Sequence, residues 1–288
     1  MGPDLLEVRL KCDSRTRTFA VHTPSCDNAP LVLVLHGNRS GTPDRSPRDW
    51  ARFAARADEW GIAVAYPDGW DGCWADGRGV TTADTAGVDD VGFLCTVIDW
   101  FATEFGSPAG RAVIAGISNG AFMSHRMAVQ AADQVAVFAA VAGGLPEALT
   151  DRTATHAVSA MLINGDADPV TPITGGYSRH RDTDGELRGR TWGLAESAAW
   201  WRERDDCSPI GETRRTEFSD RRRMSGGVGG TEVVEWTVFG GGHTWPGLPV
   251  PAEWSGYPGA VSTMEFDAAE EIWRFAKPPL TPAAARKL

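Results

Sequence analysis

The chain has 288 residues, of which 42% are hydrophobic and 23% charged, a balance that is ordinary for a soluble globular protein. The formal net charge of -10 argues against nucleic acids and anionic membrane surfaces as main partners. No apolar run reaches the roughly 18 residues of a membrane span. No signal peptide is visible at the N-terminus, which predicts a cytoplasmic protein, or a secreted one if a signal has been removed. The oligomeric state is left open.

The five cysteines are widely spaced, with neither a C-x-x-C motif nor a Cys/His set suited to zinc, so no metal site is predicted. Cys95 lies in an apolar helical stretch and is predicted to be a small core residue. Cys12 and Cys26 are candidates for a disulfide across an N-terminal hairpin, although spacing alone does not establish one.

The predicted elements of the N-terminal half begin with a hairpin formed by residues 7–11 and 17–23. The continuous apolar run Leu31–Leu35 predicts a strand buried on both faces. A helix is predicted from Pro47 to Trp60, and Ile62–Tyr66 predicts the next buried strand. The residues that follow, up to position 79, are too rich in Gly and Asp to form a regular element.

The next predicted elements are an amphipathic helix over Val88–Phe105, which Gly106 would cap, and a strand at Ala112–Ala115. The remaining strands are predicted at Val135–Val141, Ser159–Ile163 and Thr231–Phe239, and the remaining helices at Thr191–Arg204 and Met264–Phe275. This alternation predicts an α/β fold with a mostly parallel sheet covered on both faces.

The domain organisation follows from the same pattern. Residues 1–276 are predicted to form a single catalytic domain, within which 170–230 is an excursion from the sheet, and residues 277–288 a disordered tail. The arginines of this excursion lie among acidic residues and are interpreted as a solvated loop or edge; they are Arg214, Arg215, Arg221, Arg222 and Arg223.

The segment Gly116–Gly120 has the G-x-S-x-G pattern, between an apolar strand and a helix-compatible segment. In that context the turn holds Ser118 in a strained conformation and presents its hydroxyl at the positive end of the helix. The alternative is a βα turn without chemistry. We interpret Ser118 as a nucleophile.

A serine nucleophile needs a base, and the base needs an acid that orients it. Among six histidines, only His36 and His243 follow buried strands, and His243 stands in a Gly-rich loop that we expect to be loose enough to swing over the serine. Asp168 is the preferred acid because Pro169 holds it extended, whereas Asp166 could simply cap its turn. The order Ser118, Asp168, His243 is that of α/β-hydrolases.

Acyl transfer also needs hydrogen-bond donors for the tetrahedral oxyanion. The backbone N–H of Asn119, next to the nucleophile, is one candidate. The backbone N–H of Asn38, in the loop after the Leu31–Leu35 strand, is the other.

A set of motifs extends this pattern over most of the chain. The set comprises Leu35-His36-Gly37, Tyr66-Pro67-Asp68-Gly69, Trp74-Ala75-Asp76-Gly77-Arg78-Gly79, Val88-Asp89-Asp90-Val91-Gly92-Phe93-Leu94, Gly116-Ile117-Ser118-Asn119-Gly120-Ala121-Phe122-Met123, Ala142-Gly143-Gly144-Leu145-Pro146, Gly165-Asp166-Ala167-Asp168-Pro169 and Gly242-His243-Thr244-Trp245-Pro246-Gly247. Together, over residues 15–275, they resemble the poly(3-hydroxybutyrate) depolymerase/feruloyl esterase family of α/β-hydrolases, allied to carbohydrate esterase family one.

The resemblance implies an α/β-hydrolase fold, no metal or organic cofactor, and Ser118, Asp168 and His243 as the triad. Polyester-cleaving relatives often carry cysteine where this chain has Asn38, a departure that retains the backbone donor.

Trp74, Trp245 and His36 are the candidate substrate-binding residues. Either tryptophan could instead anchor a loop, and the H-G turn of His36 also fits a structural or oxyanion-loop role. Asp89 and Asp90 are interpreted as cap and dipole partners of their helix.

The sequence therefore predicts a serine carboxylic-ester hydrolase acting on a small or polymeric ester of the polyester/hydroxyalkanoate or feruloyl/aryl type. The alternatives are an acyltransferase on the same scaffold, an acetylxylan-type polysaccharide deacetylase, and a non-catalytic binding module.

Overall fold

The computed structural model describes residues 5–38, 51–108, 110–152, 155–177, 185, 187, 189–250, 256 and 259–280. Strands within these ranges are β1 (Leu6–Cys12), β2 (Arg15–His22), β3 (Leu31–Leu35), β4 (Ala63–Pro67), β5 (Ala112–Ile117), β6 (Val135–Val141), β7 (Ser159–Gly165), β8 (Gly175–Gly176), β9 (Thr191–Trp192), β10 (Glu212–Arg215), β11 (Ser219–Met224) and β12 (Val233–Val238). The helices are α1 (Phe53–Trp60), α2 (Thr82–Thr85), α3 (Asp90–Phe105), α4 (Asn119–Gln130), α5 (Leu194–Arg204) and α6 (Ala268–Leu280).

The main sheet has the strand order β1-β2-β4-β3-β5-β6-β7-β12-β11-β10. Its centre, from β4 to β12, is parallel, while β1 and β2 at one edge and β11 and β10 at the other run antiparallel to their neighbours. The carboxyl ends of the parallel strands therefore meet at one edge of the sheet, where ligand sites of α/β folds form. The predicted α/β-hydrolase fold is confirmed.

Each face of the sheet has its own hydrophobic core, because side chains alternate along a strand. In β3, Leu31, Leu33 and Leu35 belong to the core that includes residues of α3, α4 and α5. Val32 and Val34 belong to the opposite core, which includes residues of α1 and α6. Such double burial explains the unbroken apolar run of this strand.

Several boundaries differ from those predicted. Helix α5 begins at Leu194 rather than Thr191, because Thr191–Trp192 pairs with Gly175–Gly176 in a small second sheet. Part of the predicted 170–230 excursion, β10 and β11, extends the main sheet through antiparallel pairing. Helix α6 continues to Leu280, past position 277, while residues 281–288 and the predicted helix start at Pro47 lie outside the described residues.

The five cysteines are all free thiols, so the candidate Cys12–Cys26 disulfide is not formed. Cys95 is partly buried and packs against the core that contains α3 and α4, as predicted for a small core residue. None of the helices in the described part of the chain combines the length and apolar character that a membrane crossing requires.

Candidate active site

Ser118 lies at the junction of β5 and α4 with φ 56° and ψ -119°, a conformation that L residues rarely adopt. The motif glycines make this junction possible. A Cβ on Gly116 would lie 2.2 Å from the carbonyl oxygen of Gly120, and one on Gly120 would lie 2.4 Å from that of Leu35. Any side chain at either position would push α4 away from the sheet, so both positions require glycine.

The two residues whose N–H groups are predicted as oxyanion donors belong to the start of α4 and to the loop after β3. Asn119 is the first residue of α4, so its N–H has no partner within the helix. The loop after β3 passes beside the serine, since a Cβ on Gly37 would lie 3.3 Å from the Ser118 Cβ. Asn38, the next residue of that loop, is exposed.

Asp168 and His243 follow the neighbouring parallel strands β7 and β12 and form a hydrogen-bonded pair. The His243 Nδ1 lies 2.8 Å from the Asp168 Oδ2, and the Asp168 side chain has no exposed surface. The second carboxylate oxygen accepts the backbone N–H groups of Val170 at 2.8 Å and Thr171 at 2.9 Å. Burial raises the pKa of Asp168, but the bonds from His243 and Thr171 outweigh it, so the pKa lies below its ordinary value.

Asp166, the alternative acid, has a different role. Its Oδ1 accepts the backbone N–H of Gly240 at 2.7 Å, which links the turn after β7 to the turn after β12. Of the two carboxylates, Asp168 therefore contacts His243 and Asp166 caps a turn.

Thr171 is a member of this site that the sequence analysis missed. Its Oγ1 lies 2.7 Å from the Asp168 Oδ2, 3.3 Å from the His243 Nδ1 and 3.0 Å from the carbonyl oxygen of Ala142. The sequence signal for this contact is the position of Thr171 three residues after Asp168, where its hydroxyl can reach the Asp168 carboxylate within one turn.

The end of β6 links the nucleophile to the acid–base pair. The backbone N–H of Ser118 donates to the carbonyl oxygen of Val141 at 2.9 Å, and the adjacent Ala142 carbonyl contacts Thr171. Within the described ranges, Ser118 and His243 make no direct hydrogen bond with each other. Catalytic hydrogen bonds are often long in unliganded enzymes and tighten only when substrate is bound.

The loop that carries His243 is firmly attached, contrary to the expectation that it is loose. The N–H groups of Gly242 and His243 donate to the carbonyl oxygens of Val261 and Gly259, both at 2.9 Å. A Cβ on Gly242 would lie only 1.8 Å from the Gly259 oxygen. Gly242 therefore permits the close backbone packing of this loop against Gly259.

Other histidines lack the position of a base. His125 is fully buried in α4, where its Nδ1 accepts the indole N–H of Trp201 at 3.0 Å. Burial lowers the pKa of His125 to about 3, so this imidazole is neutral and structural. His22 lies beside Asp58 at 3.3 Å, His156 is exposed, and His180 lies outside the described residues.

Trp74 and His36 form one buried unit, so neither can contact substrate as predicted. Both are 0% exposed, their ring centroids are 4.8 Å apart, and the Trp74 Nε1 donates to the His36 carbonyl oxygen at 2.9 Å. The His36 Nε2 accepts the N–H of Gly69 at 2.8 Å, which leaves the ring proton on Nδ1, 2.6 Å from the Gly37 carbonyl oxygen. His36 thus positions the loop that carries Asn38.

Trp245 is 4% exposed and packs edge-on against Phe53, with ring centroids 6.4 Å apart. Its ring belongs to the core that includes α1 and α6. The loop-anchoring role, rather than substrate contact, is the one this geometry supports.

The Asn119 side chain ties the nucleophile turn to the loop after β4. Its Oδ1 accepts the Trp74 N–H at 2.7 Å, and its Nδ2 donates to the Asp76 carboxylate at 2.6 Å and the Trp74 carbonyl at 3.1 Å. Burial raises the pKa of Asp76, and the Arg78 guanidinium, 2.7 Å away, opposes that rise. The sequence predicts a role for the backbone N–H of Asn119 but none for this side chain.

Asp89 caps α3 and Asp90 lies in its first turn, as predicted for cap and dipole partners, but the side chain of Asp90 does not cap the helix. Asp89 accepts the Gly92 N–H at 2.9 Å at the start of α3. Asp90 is instead fully buried and accepts both the Arg17 guanidinium at 2.5 Å and the Ala75 N–H at 2.7 Å. The buried Arg17–Asp90 pair therefore also contacts the loop after β4, through the Ala75 N–H.

Within the described ranges, no group of three or more His, Cys, Asp or Glu side chains is placed to hold a metal ion. A serine on a strained strand-to-helix turn and a carboxylate–imidazole pair on neighbouring strands, at the carboxyl edge of this sheet, are the features of the α/β-hydrolase class.

Comparison with known proteins identifies a family within the α/β-hydrolase class. No protein-family model matches the sequence. The chain is 31% identical over 253 residues to a protein of Nocardia uniformis subsp. tsuyamanensis called "Putative esterase NocK", in an alignment that covers 82% of this chain and 73% of that protein. The chain belongs to the family of that esterase.

The fold is also similar to that of an acetyl xylan esterase from Aspergillus awamori. The TM-score is 0.56 at 14% sequence identity, and the superposition covers 84% of this chain and 94% of the other. At this identity the similarity concerns the fold alone.

Proposed function

We propose that the protein is a serine carboxylic-ester hydrolase that acts through an acyl-enzyme, with Ser118, His243 and Asp168 as nucleophile, base and acid. The observation that carries this proposal is the 2.8 Å contact between the His243 Nδ1 and the buried Asp168 carboxylate, on strands two and three places along the sheet from the strand that ends in Ser118. Membership in an esterase family supports the same reaction type.

In the proposed first half-reaction, the Ser118 hydroxyl attacks the ester carbonyl carbon while the His243 Nε2 takes its proton. The Nδ1–H bond to Asp168 keeps Nε2 unprotonated before attack and stabilises the imidazolium that forms. Collapse of the tetrahedral intermediate breaks the C–O bond to the alcohol, which leaves with the proton from His243. Water then repeats the sequence on the acyl-enzyme and releases the acid and Ser118.

The proposed oxyanion donors are the backbone N–H groups of Asn119 and Asn38. The first is a helix-terminal N–H, and the second belongs to the exposed residue that follows Gly37 beside the serine. Each such donor contributes about 3–4 kcal/mol of transition-state stabilisation in serine hydrolases. Both donors are backbone groups, so the side chain at position 38 is free to vary without loss of this function.

The proposed substrates are esters of the polyester/hydroxyalkanoate or the feruloyl/aryl type. The burial of Trp74 and Trp245 means that neither ring provides the aromatic platform on which a preference for aryl acids would rest. Rates on p-nitrophenyl acetate, butyrate and octanoate, methyl ferulate and hydroxybutyrate oligomers distinguish the acyl classes. Product analysis with an added alcohol separates hydrolysis from acyl transfer.

The test of the nucleophile is covalent labelling. An organophosphonate probe is expected to add one phosphonyl group to Ser118, and Ser118→Ala to abolish both labelling and ester cleavage. Ser124→Ala is the matched control, because the Ser124 hydroxyl donates to the Gly120 carbonyl within the same helix at 2.8 Å. Undiminished cleavage by Ser118→Ala, or a label on another residue, would overturn the proposal.

A further inference from the structure

A cavity lies apart from the candidate active site, between the edge of the main sheet and the start of α6. Its volume is about 430 Å³, and neither Ser118, Asp168 nor His243 lines it. Its wall includes residues of β10, β11 and β12 on one side and residues 264–267 with the first turns of α6 on the other. A cavity of this size can hold a small organic molecule.

Three side chains form a row across the sheet side of this cavity. Arg214 pairs with Arg221 in the β10–β11 register, and Arg221 pairs with Trp236 in the β11–β12 register. All three line the cavity. Like charges directly opposite each other on neighbouring strands destabilise a sheet, so this arginine pair calls for a compensating negative charge.

Two hydrogen-bond donors in this row are buried and have no partner. They are the Nε of Arg221 and the Nε1 of Trp236, and Trp236 is only 6% exposed. A buried donor that is left unsatisfied costs roughly 1–3 kcal/mol. Arg214 and Arg215 on the edge strand β10 are exposed, as predicted for a solvated arginine edge. Arg221 is half-buried, and this burial lowers the pKa of its guanidinium.

The carboxylates of the cavity bond to other groups and not to the Nε of Arg221 or the Nε1 of Trp236. Asp267 pairs with Arg52 at 3.0 Å, and the Glu265 carboxylate accepts the Ser219 hydroxyl at 2.7 Å. Glu270 and Glu271 both pair with Arg274, at 2.6 and 2.8 Å. Glu271 attracts Arg221 at longer range. Within the described residues, however, neither Arg221 nor Arg214 forms a direct ion pair with a carboxylate.

We propose that this cavity, which we call the sheet-edge site, binds a small carboxylic acid whose carboxylate accepts the N–H groups of Arg221 and Trp236 and compensates the Arg214–Arg221 pair. The apolar body of the ligand packs against Met264, which is 64% exposed at the wall, and Phe266, whose ring stacks on Trp236 with centroids 4.3 Å apart. The acidic α6 side repels a second negative charge, so the site selects a monoanion over a dianion.

The test is binding of para-fluorobenzoate to the full-length protein, followed by fluorine NMR. Neutral para-fluorobenzamide and inorganic phosphate serve as comparison ligands. We expect the benzoate to bind at least about tenfold more tightly than either, because only a monoanionic carboxylate can use both arginines and the indole N–H.

Two variants locate the binding on the row. Arg221→Met keeps the aliphatic part of the side chain and is expected to weaken para-fluorobenzoate binding about tenfold or more. Trp236→Phe removes the indole N–H and is expected to weaken it about three- to tenfold. Arg215→Gln is the matched control, because it removes the same charge from a neighbouring position. Arg215 is exposed, lies 3.7 Å from Asp220 and does not line the cavity. Absence of binding, equal binding of the amide, or affinity that Arg221→Met leaves unchanged would overturn the proposal.

Discussion

The Asn119 Oδ1 accepts the backbone N–H of Trp74 at 2.7 Å, which ties the residue after the nucleophile to a loop 45 positions earlier in the chain. The same amide donates to the buried Asp76 and to the Trp74 carbonyl. The first turn of α4 and the loop after β4 are therefore fixed by one side chain. The predicted oxyanion N–H belongs to the same residue, so its direction depends on this contact.

Asn119→Ala is expected to destabilise the protein by about 3 kcal/mol, because three buried hydrogen bonds are lost and Asp76 loses its amide donor. The free energy of unfolding in urea measures this effect. Gln130→Ala at the end of the same helix is the control, because Gln130 is only partly buried and accepts a single bond from Arg126. A change below about 1 kcal/mol in Asn119→Ala would show that the loop is held without this amide.

Asp168→Asn is expected to lower kcat about ten-thousand-fold, as the loss of the orienting carboxylate does in serine triads. It should also change how stability depends on pH. The folded-state pKa of Asp168 is depressed, so its stabilisation is present above the unfolded pKa of about 3.9 and is lost as pH falls through the folded value.

The stability difference between the wild type and Asp168→Asn should therefore be largest near neutral pH and shrink below about pH 4. Urea unfolding at a series of pH values measures it. A difference that stays constant down to pH 2 would mean that folding does not lower the pKa of Asp168.

Thr171→Val is expected to lower kcat about three- to tenfold without a matching rise in KM, because Asp168 loses a hydroxyl donor that helps to keep it ionised and in place. The bonds from Thr171 lower the pKa of Asp168, so the loss of the hydroxyl should raise that pKa. The stabilisation from the ionised Asp168 should then be fully lost at a higher pH than in the wild type. Thr171→Ser keeps the hydroxyl and should restore both properties. If serine does not rescue the enzyme, the threonine acts through its methyl packing instead.

Arg17→Met is expected to destabilise the protein by about 3–5 kcal/mol, because it leaves the fully buried Asp90 without its positive partner. Arg15→Met, which removes the ion pair of a more exposed arginine with Asp13, should change stability by less than about 1 kcal/mol. Thermal unfolding of the two variants compares them directly. Equal effects would mean that the buried pair contributes no more than an exposed one.

The sequence predicted the elements whose residues carry a local signal. The apolar run of β3, the Gly106 cap of α3 and the strand–turn–helix around Ser118 depend on neighbours along the chain, and the structure has all three. Gly106 has φ 66°, the left-handed conformation in which glycine ends a helix.

Tertiary contacts decide the roles of the residues that the sequence did not predict correctly or did not point to. Trp74 has the same flanking glycines and acids whether its ring lies in a cleft or in the core, and only the packing against His36 decides between them. Asp90 has the position of a dipole partner in the first turn of α3, and only the structure shows that its side chain pairs with Arg17, 73 positions away. Thr171 reads as an ordinary turn residue, because its contact with His243 spans 72 positions.

Ala142 couples the two halves of the proposed triad mechanically. The Ala142 N–H donates to the Ile163 carbonyl oxygen at 2.9 Å, and the Ala142 carbonyl oxygen accepts the Thr171 hydroxyl. The carbonyl oxygen of the preceding residue, Val141, accepts the Ser118 N–H. This residue has φ 51°, a backbone angle that only these surrounding bonds maintain. Two adjacent peptide units that take no part in the proposed chemistry therefore join the nucleophile turn to the acid–base pair, so a substitution that changes the backbone at position 142 is expected to displace both.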